Sequence, residues 1–311
     1  MLIHPKVLII SNRFDFATDF IALRLRKLNV PFLRLNRDDL REYNVQFCPS
    51  IPSLVIECDG LKYEIKNETL ASVYYRAPTF LREIFQEHVD AEEQLYRTQW
   101  AAFVRSLIVF EKAKWVNDPV ATYKAEMKPF QLYYAKLLGF LVPESLITNN
   151  TTAVQIQAAN LAVKSIDTAI ISEGDSEAFV YTTLLPNNKL PREAYSSPFF
   201  IQQGLTPKID VRITVIGDSL TAIHILGDEG IADDWRRYKG KIRYEIVDLP
   251  EDLVAKCFEF TKKLGLVYSA IDMVLYDGLY YFIEVNPTGE WAWLQQNTGH
   301  PFDEQIVETL L

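Results

Sequence analysis

Apolar and polar positions divide the chain into blocks of helical and extended character. Val7 to Ile10 is an unbroken apolar run of the kind a doubly buried strand shows. The loop Ser11 to Asp15 follows, and then Phe20, Leu23 and Leu28 recur near helical spacing through about Asn29. Pro31 to Leu35 reads as a second strand, so the opening is β-α-β and predicts a small α/β domain with a parallel sheet. Leu54 to Ile56 and Tyr63 to Ile65 read as a hairpin around Asp59-Gly60, and Ser72 to Tyr75 as a strand running into Arg76. Glu83 to Lys112 is helical in pattern, with Trp100, Phe103, Val104 and Leu107 forming a stripe that fits a core face.

A new unit opens after Trp115 to Pro119. Lys124 to Leu138 predicts a helix that stops at Gly139, a suitable position just past a helix end. Leu146 to Thr148 follows, then a short helix from about Thr152, and a strand from Leu161 to Ile166 that carries Lys164. Ser172 to Glu177 reads as a polar acidic loop, followed by strands at Phe179 to Leu185 and Phe199 to Gln203. Val211 to Ile216 pairs back on Ser219 to Ile225 through Gly217-Asp218, Glu245 to Val247 is a short strand, and Pro250 to Leu264 an amphipathic helix opened by proline and acidic residues.

The most informative block is Gly265 to Leu294. Ser269 to Tyr276 and Leu279 to Val285 read as two strands joined at Asp277-Gly278, and Pro287 ends the second. Asp272, Glu284 and Asn286 interrupt these apolar runs with oxygen-bearing side chains. Glu284 and Asn286 share a face by strand alternation. Asp272 joins them only if an odd loop or a bulge corrects the parity, because a two-residue turn alone opposes Asp272 and Glu284. Two carboxylates and one amide oxygen suit a hard cation that keeps several waters, and Mg²⁺ on nucleotide phosphates fits best. A partly solvated hairpin face is the bland alternative.

The chain has 311 residues, enough for two or three subdomains, and 49% hydrophobic residues, enough to bury a substantial core. Its net charge of −9 argues against sequence-independent binding to nucleic acid or anionic lipid. Cys48, Cys58 and Cys257 form neither a disulfide set nor a spaced metal pair, which points to a reducing, cytoplasmic setting. The N-terminal apolar run fits a first core strand and not a signal peptide, and no run of about 18 apolar residues suggests a membrane span. His4, His88, His224 and His300 are scattered without ligand spacing.

Lys164 lies in a strand too apolar to hold an ammonium unpartnered, so it either snorkels outward or addresses an anion such as phosphate. Lys128 precedes Pro129 at a helix start, where a cation gains nothing from the dipole, and taken alone it reads as a surface lysine. Phe199 to Leu205 combines flat apolar residues with a turn at Gly204, which suits either an adenine-lining hinge or a core strand. Arg212 and Arg236 follow Asp210 and Asp233-Asp234-Trp235, and surface ion pairs would account for both. No G-x-x-x-x-G-K-[ST] loop, H-E-x-x-H motif, G-x-S-x-G elbow or G-x-G-x-x-G fingerprint is present, so a nucleotide site would be assembled from scattered strands.

The order Lys128, Lys164, Gln202, Asp210-Val211-Arg212, and then Asp272, Glu284 and Asn286 on a hairpin resembles the ATP-grasp ligases. Within them the chain is most similar to the microviridin-type graspetide synthetases. The motifs that carry this are VYYRAP at 73–78, WVNDP at 115–119, AEMKPFQL at 125–132, LGFLVPESLITN at 138–149, DVRITVIGD at 210–218, DDWR at 233–236 and EVNPTGEWAWL at 284–294. The sequence departs from that branch at Ala77, at Gln203 and in the acidic stretch Ser172 to Glu177.

The resemblance implies an α/β (α+β) chain with the ATP-grasp fold. Its parts would be an N-terminal pre-ATP-grasp domain (1–117), a central subdomain (118–200) and a C-terminal subdomain (201–311). It implies that Lys128 and Lys164 contact the ATP phosphates and that Gln202, Gln203 and Leu205 line the adenine hinge, with Asp210 in the nucleotide-binding set. Asp272, Glu284 and Asn286 would hold Mg²⁺, and Arg212 and Arg236 would face the γ-phosphate and acyl phosphate. The implied partner is a ribosomal precursor peptide whose leader docks around Phe179 to Pro198 and whose core is crosslinked, Asp or Glu to Ser, Thr or Lys, by ester or amide bonds. Neither nucleic acid nor membrane is an expected partner, and a homodimer is possible. A ligase for a small amino acid or peptide, and a nucleotide-binding sensor without turnover, are the alternatives. Trp235, Trp291 and Trp293 suggest an aromatic peptide groove, although core packing explains tryptophans more often.

Overall fold

The computed structural model describes residues 2–76, 90–167, 170–173, 176–179, 182–227 and 241–311. The chain forms two compact units: Met1–Tyr123 with Leu264–Ser269 and Pro287–Leu311, and Lys124–Lys263 with Ala270–Asn286.

In the first unit the apolar run becomes the strand Val7–Ser11, buried along its whole length. It pairs in parallel with Phe32–Asn36 on one side and Ser72–Tyr75 on the other, and Ser72–Tyr75 pairs in parallel with Lys114–Val116. The β-α-β expectation is met, with the helix Phe16–Lys27 as crossover. Each fully buried aliphatic side chain of this strand contributes roughly 1.5–3 kcal/mol. A second sheet, containing the expected hairpin Ser53–Cys58 and Leu61–Lys66, covers the first through Leu54, Ile56 and Ile65. The long helix is shorter than its pattern suggests: Ala91–Ser106 is helical from an N-cap at Asp90, and a 3₁₀ turn takes over at Leu107–Val109. Residues 83–89 of that expectation lie outside the described residues. Val104 and Leu107 are core as expected.

Two helices that the sequence pattern did not announce, Ala292–Thr298 and Phe302–Leu310, complete this unit. Between them and the sheet, Trp291 is fully buried and donates its indole N–H to Tyr74 Oη at 3.0 Å. Trp291 is therefore a core residue and does not line a groove. Asn117 is 2% exposed and makes four hydrogen bonds. Its Nδ2 donates to the Tyr268 and Pro287 carbonyls, and its Oδ1 accepts from the Val267 and Tyr268 amides.

In the second unit the expected helix 124–138 is broken. Pro119–Ala125, most of it in the first unit, and Lys128–Leu137 are separate helices, because Pro129 starts the second one near Lys128. Gly139 follows its end at φ +77°. A four-stranded antiparallel sheet has the order Thr183–Pro186, Asn160–Lys164, Ala194–Gln203, Ser145–Asn150. The short helix expected near Thr152 is only the 3₁₀ turn Thr151–Ala153. The acidic stretch Ser172 to Glu177, expected as a loop, contributes to two antiparallel strands, Ile170–Glu173 and Ser176–Phe179, while 174–175 lie outside the described residues. Four residues of strand on each side satisfy backbone groups that a loop would leave to water.

A five-stranded sheet completes the unit in the order Ile242–Val247, Ser219–Gly227, Ile209–Ile216, Tyr268–Tyr276, Leu279–Asn286. The helix Glu251–Lys263 packs Phe260 against Phe282 and Phe140, at ring-centroid distances of 5.0 and 5.7 Å. That contact leaves the face opposite Phe282 for the polar residues. Among the described residues no helix is long and apolar enough to cross a membrane.

Candidate functional site

The hairpin settles the parity question. Asp277 and Gly278 form a two-residue turn with φ values of +50° and +74°, the left-handed pair that an Asp-Gly hairpin turn requires. Tyr276 faces Leu279 and Met273 faces Phe282, but Asp272 faces Glu284. Ile283 is therefore the extra residue of a bulge, and everything beyond it is flipped to the other face. Asp272, Glu284 and Asn286 then share one face, with Asn286 Nδ2 donating to Asp272 Oδ2 at 3.2 Å.

Cations from other elements meet this face. Arg212, on the neighbouring strand and 4% exposed, lies 2.7 Å from Asp272 Oδ1 through its Nε. It is not the surface arginine that its Asp-rich context also allowed. Lys128, the first residue of its helix, lies 3.7 Å from Glu284 Oε2 with a side chain 17% exposed, so it too is not a free surface lysine. Two positive groups thus stand where the two carboxylates would take a bound cation, which is the charge arrangement a divalent ion and a polyphosphate would exchange with. Among the described residues no three His, Cys, Asp or Glu side chains form a metal cage. A cation here would complete its shell with Asn286, water and the oxygens of a ligand, as Mg²⁺ does.

Lys164 ends its strand and donates to Gln202 Oε1 at 3.2 Å, with Nζ 4.8 Å from the Phe200 ring centre. Ser145 Oγ donates to the Pro143 carbonyl at 2.7 Å and accepts from Gln202 Nε2 at 2.9 Å. This chain of bonds fixes the Gln202 amide with its oxygen toward Lys164. Burial pulls the Lys164 ammonium down to about 8; Lys128 adds to the effect, whereas the Glu284 and Asp272 carboxylates oppose it. Lys164 is thus a partly buried cation with a neutral hydrogen-bond partner.

The candidate hinge continues from Gln202. The Gln203 amide donates to the Glu144 carbonyl at 2.8 Å, the Gly204 amide to the Asn160 carbonyl at 2.9 Å, and Leu205 is buried. The Gln202 side chain itself is engaged by Lys164 and Ser145. Asp210 sits two residues before Arg212 and is bound by Lys208 Nζ at 2.5 and 2.6 Å.

The structure therefore brings Lys128, Lys164, Gln202, Arg212, Asp272, Glu284 and Asn286 together within one unit, with Asp210 on the strand of Arg212 and Gln203 and Leu205 flanking the turn. Arg236 and Trp235 lie outside the described residues. Lys208, Ser145 and Gln131 also belong to this arrangement, beyond the residues expected from the sequence. Lys208 carried a signal, since 208, 210 and 212 alternate on one strand face. Ser145 and Gln131 act through specific bonds that no periodicity announces.

No protein-family model and no curated protein matches the chain. Among solved structures it is similar to the RiPP-associated ATP-grasp ligase of Chryseobacterium gregarium, in complex with ADP and a leader and core peptide. The identity is 24% over 98% of this chain and 96% of that one, with a TM-score of 0.80. It is similar to the macrocyclase MdnC of Microcystis aeruginosa, bound with the precursor peptide MdnA, at 22% identity over 98% of both chains and a TM-score of 0.81. D-alanyl-alanine synthetase A of Vibrio cholerae aligns at 14% identity over 99% of this chain and 97% of that one, with a TM-score of 0.60. Full-length agreement of this kind, reached at such low identity, establishes one thing about the molecule: the chain has the ATP-grasp fold.

Proposed function

We propose that the chain is an ATP-dependent ligase that joins Asp or Glu side chains of a ribosomal precursor peptide to its Ser, Thr or Lys side chains. The observation that carries this is the convergence of Asp272, Glu284 and Asn286 on one hairpin face with Lys128, Lys164 and Arg212 around them. The relatives in fold that were solved with ADP or with precursor peptide support the substrate class.

On this reading Asp272, Glu284 and Asn286 hold Mg²⁺, which supplies charge neutralisation at the phosphates of ATP. Lys128 and Lys164 bind the phosphates, Gln202 orients Lys164, and the segment Gln203 to Leu205 walls the adenine. Arg212, held 2.7 Å from Asp272 Oδ1, would face the transferring phosphoryl group, and Arg236 would serve the same group. A substrate carboxylate oxygen attacks the γ-phosphorus of ATP, giving an acyl phosphate and releasing ADP; a hydroxyl or amine then attacks the acyl carbon, losing its proton as phosphate leaves, to form the ester or amide. The chain needs no nucleophile of its own for this sequence of steps.

The reading extends to a pre-ATP-grasp domain at 1–117, subdomains at 118–200 and 201–311, docking of the leader around 179–198, and a homodimer. The free cysteines Cys48, Cys58 and Cys257 suit a cytoplasmic setting. The test uses a peptide from a neighbouring reading frame with a C-terminal half rich in Thr, Ser, Lys, Asp and Glu. With ATP and Mg²⁺ the peptide is expected to lose one water per crosslink by mass spectrometry as phosphate is released. No mass change and no phosphate release by folded protein would overturn the proposal.

A further inference from the structure

Leu279–Asn286 is the outer strand of the five-stranded sheet, so among the described residues no further strand pairs with its outward main-chain groups. Two things close that edge. The Phe282 amide donates to the Leu141 carbonyl at 2.8 Å. At Val285 the partner is a side chain: Gln131 Oε1 accepts from the Val285 amide at 3.0 Å, and Gln131 Nε2 donates to the Val285 carbonyl at 2.9 Å. The same Nε2 donates to the Ala125 carbonyl at 2.6 Å. Gln131 is 2% exposed and satisfies both groups of one strand residue, as a neighbouring strand would.

Val285 stands between Glu284 and Asn286, and its own side chain is buried on the opposite face. Gln131 lies three residues after Lys128 on one helix, so the two share a helix face. The bond pair at Val285 therefore sets the register of the Lys128 helix against the strand that carries two of the three candidate cation ligands. An apolar side chain of the same length would fill the space without fixing that register. A buried amide is costly unless all its bonds are made, and here each is made to a group that determines alignment.

We infer that Gln131 is a positioning residue for the cation site, holding Glu284 and Asn286 at a fixed offset from Lys128. This rests on the Mg-nucleotide reading above. Removing such a support typically weakens metal affinity by about 10–100-fold.

The test titrates ADP calorimetrically without metal and over a Mg²⁺ series, on wild type, Gln131→Met, Gln131→Glu and Glu284→Ala. The expected result for Gln131→Met is a rise of about 10–100-fold in the Mg²⁺ concentration that half-saturates the tightening of ADP, with metal-free ADP affinity unchanged. In the Glu284→Ala background the Gln131→Met change should add nothing. Gln131→Glu keeps the acceptor for the Val285 amide but replaces the donor to the Val285 and Ala125 carbonyls by an oxygen; with folding checked by circular dichroism, it should show the same shift in the same direction. A half-saturating Mg²⁺ concentration equal to wild type, or an equal loss with and without metal, overturns the inference while leaving the Glu284 effect intact. Wild type that binds no Mg-ADP overturns both the inference and the reading beneath it.

Discussion

Lys164 offers the sharpest quantitative consequence of the site. Its ammonium is held at about 8 in the free protein, because burial removes water and Gln202 supplies only a neutral acceptor. A polyphosphate beside it favours the charged form, so binding should take up a proton wherever the free protein is incompletely protonated. At pH 8 about half of the free protein carries the proton, so binding takes up about 0.5 proton. If only the protonated form binds well, apparent affinity falls about tenfold between pH 7 and pH 9, because the fraction protonated falls from about 0.9 to about 0.1. The sign follows from linkage: the bound state holds more protons, so binding weakens as pH rises. The assay is calorimetric titration of Mg-ADP at pH 8 in two buffers of different ionisation enthalpy, repeated at pH 7 and pH 9. Lys164→Met reports the proton balance of the nucleotide itself and should remove the uptake. Wild-type binding that is Lys164-dependent, yet flat from pH 7 to pH 9 and without proton uptake, would show that the Lys164 ammonium does not titrate on binding.

Gln202→Glu places a carboxylate against Lys164, so its ammonium should return toward the ordinary lysine range and the pH dependence of Mg-ADP binding should flatten in the same titrations. Asn117→Ala removes four buried hydrogen bonds and should lower unfolding free energy by about 3–5 kcal/mol in urea denaturation, since the freed amides and carbonyls stay buried. Arg76→Met leaves the Asp15 carboxylate, 7% exposed and 2.9 Å from Arg76 Nε, without its ion pair; a loss of about 3–5 kcal/mol is expected, most of it recovered when Asp15→Leu is added. Gly204→Ala puts a methyl group 2.6 Å from Leu184 Cδ1 and 2.9 Å from the Asn160 carbonyl, so the strand end must shift. About 1–3 kcal/mol of stability should be lost, together with ADP affinity.

The parts of the fold that show in the sequence are those that local physics dictates. Val7 to Ile10 reads as a buried strand and Asp277-Gly278 as a tight turn, and both form as read; Pro129, taken into one helix over Lys124 to Leu138, instead opens a second helix. What local patterns could not show depends on the rest of the chain. Asp272 reaches Glu284 through a bulge at Ile283, which no residue type marks. Ala292–Thr298 and Phe302–Leu310 are short helices whose apolar faces are needed only because Trp291 and the first sheet require a cover. The site divides in the same way. Asp272, Glu284 and Lys164 stood out as charge in apolar strands. Lys128 and Arg212 were ambiguous until their partners were known, and Gln131 and Ser145 act only through buried hydrogen bonds.

Glu284, with Asp272 and Asn286, is proposed to make a Mg-nucleotide site. Calorimetric titration of ADP with and without Mg²⁺, on wild type and Glu284→Ala, tests it most directly. Mg²⁺ is expected to tighten ADP binding to wild type, and Glu284→Ala, folded by circular dichroism, to lose that tightening. Nucleotide binding indifferent to Mg²⁺, or a folded variant that responds to Mg²⁺ as wild type does, would contradict it.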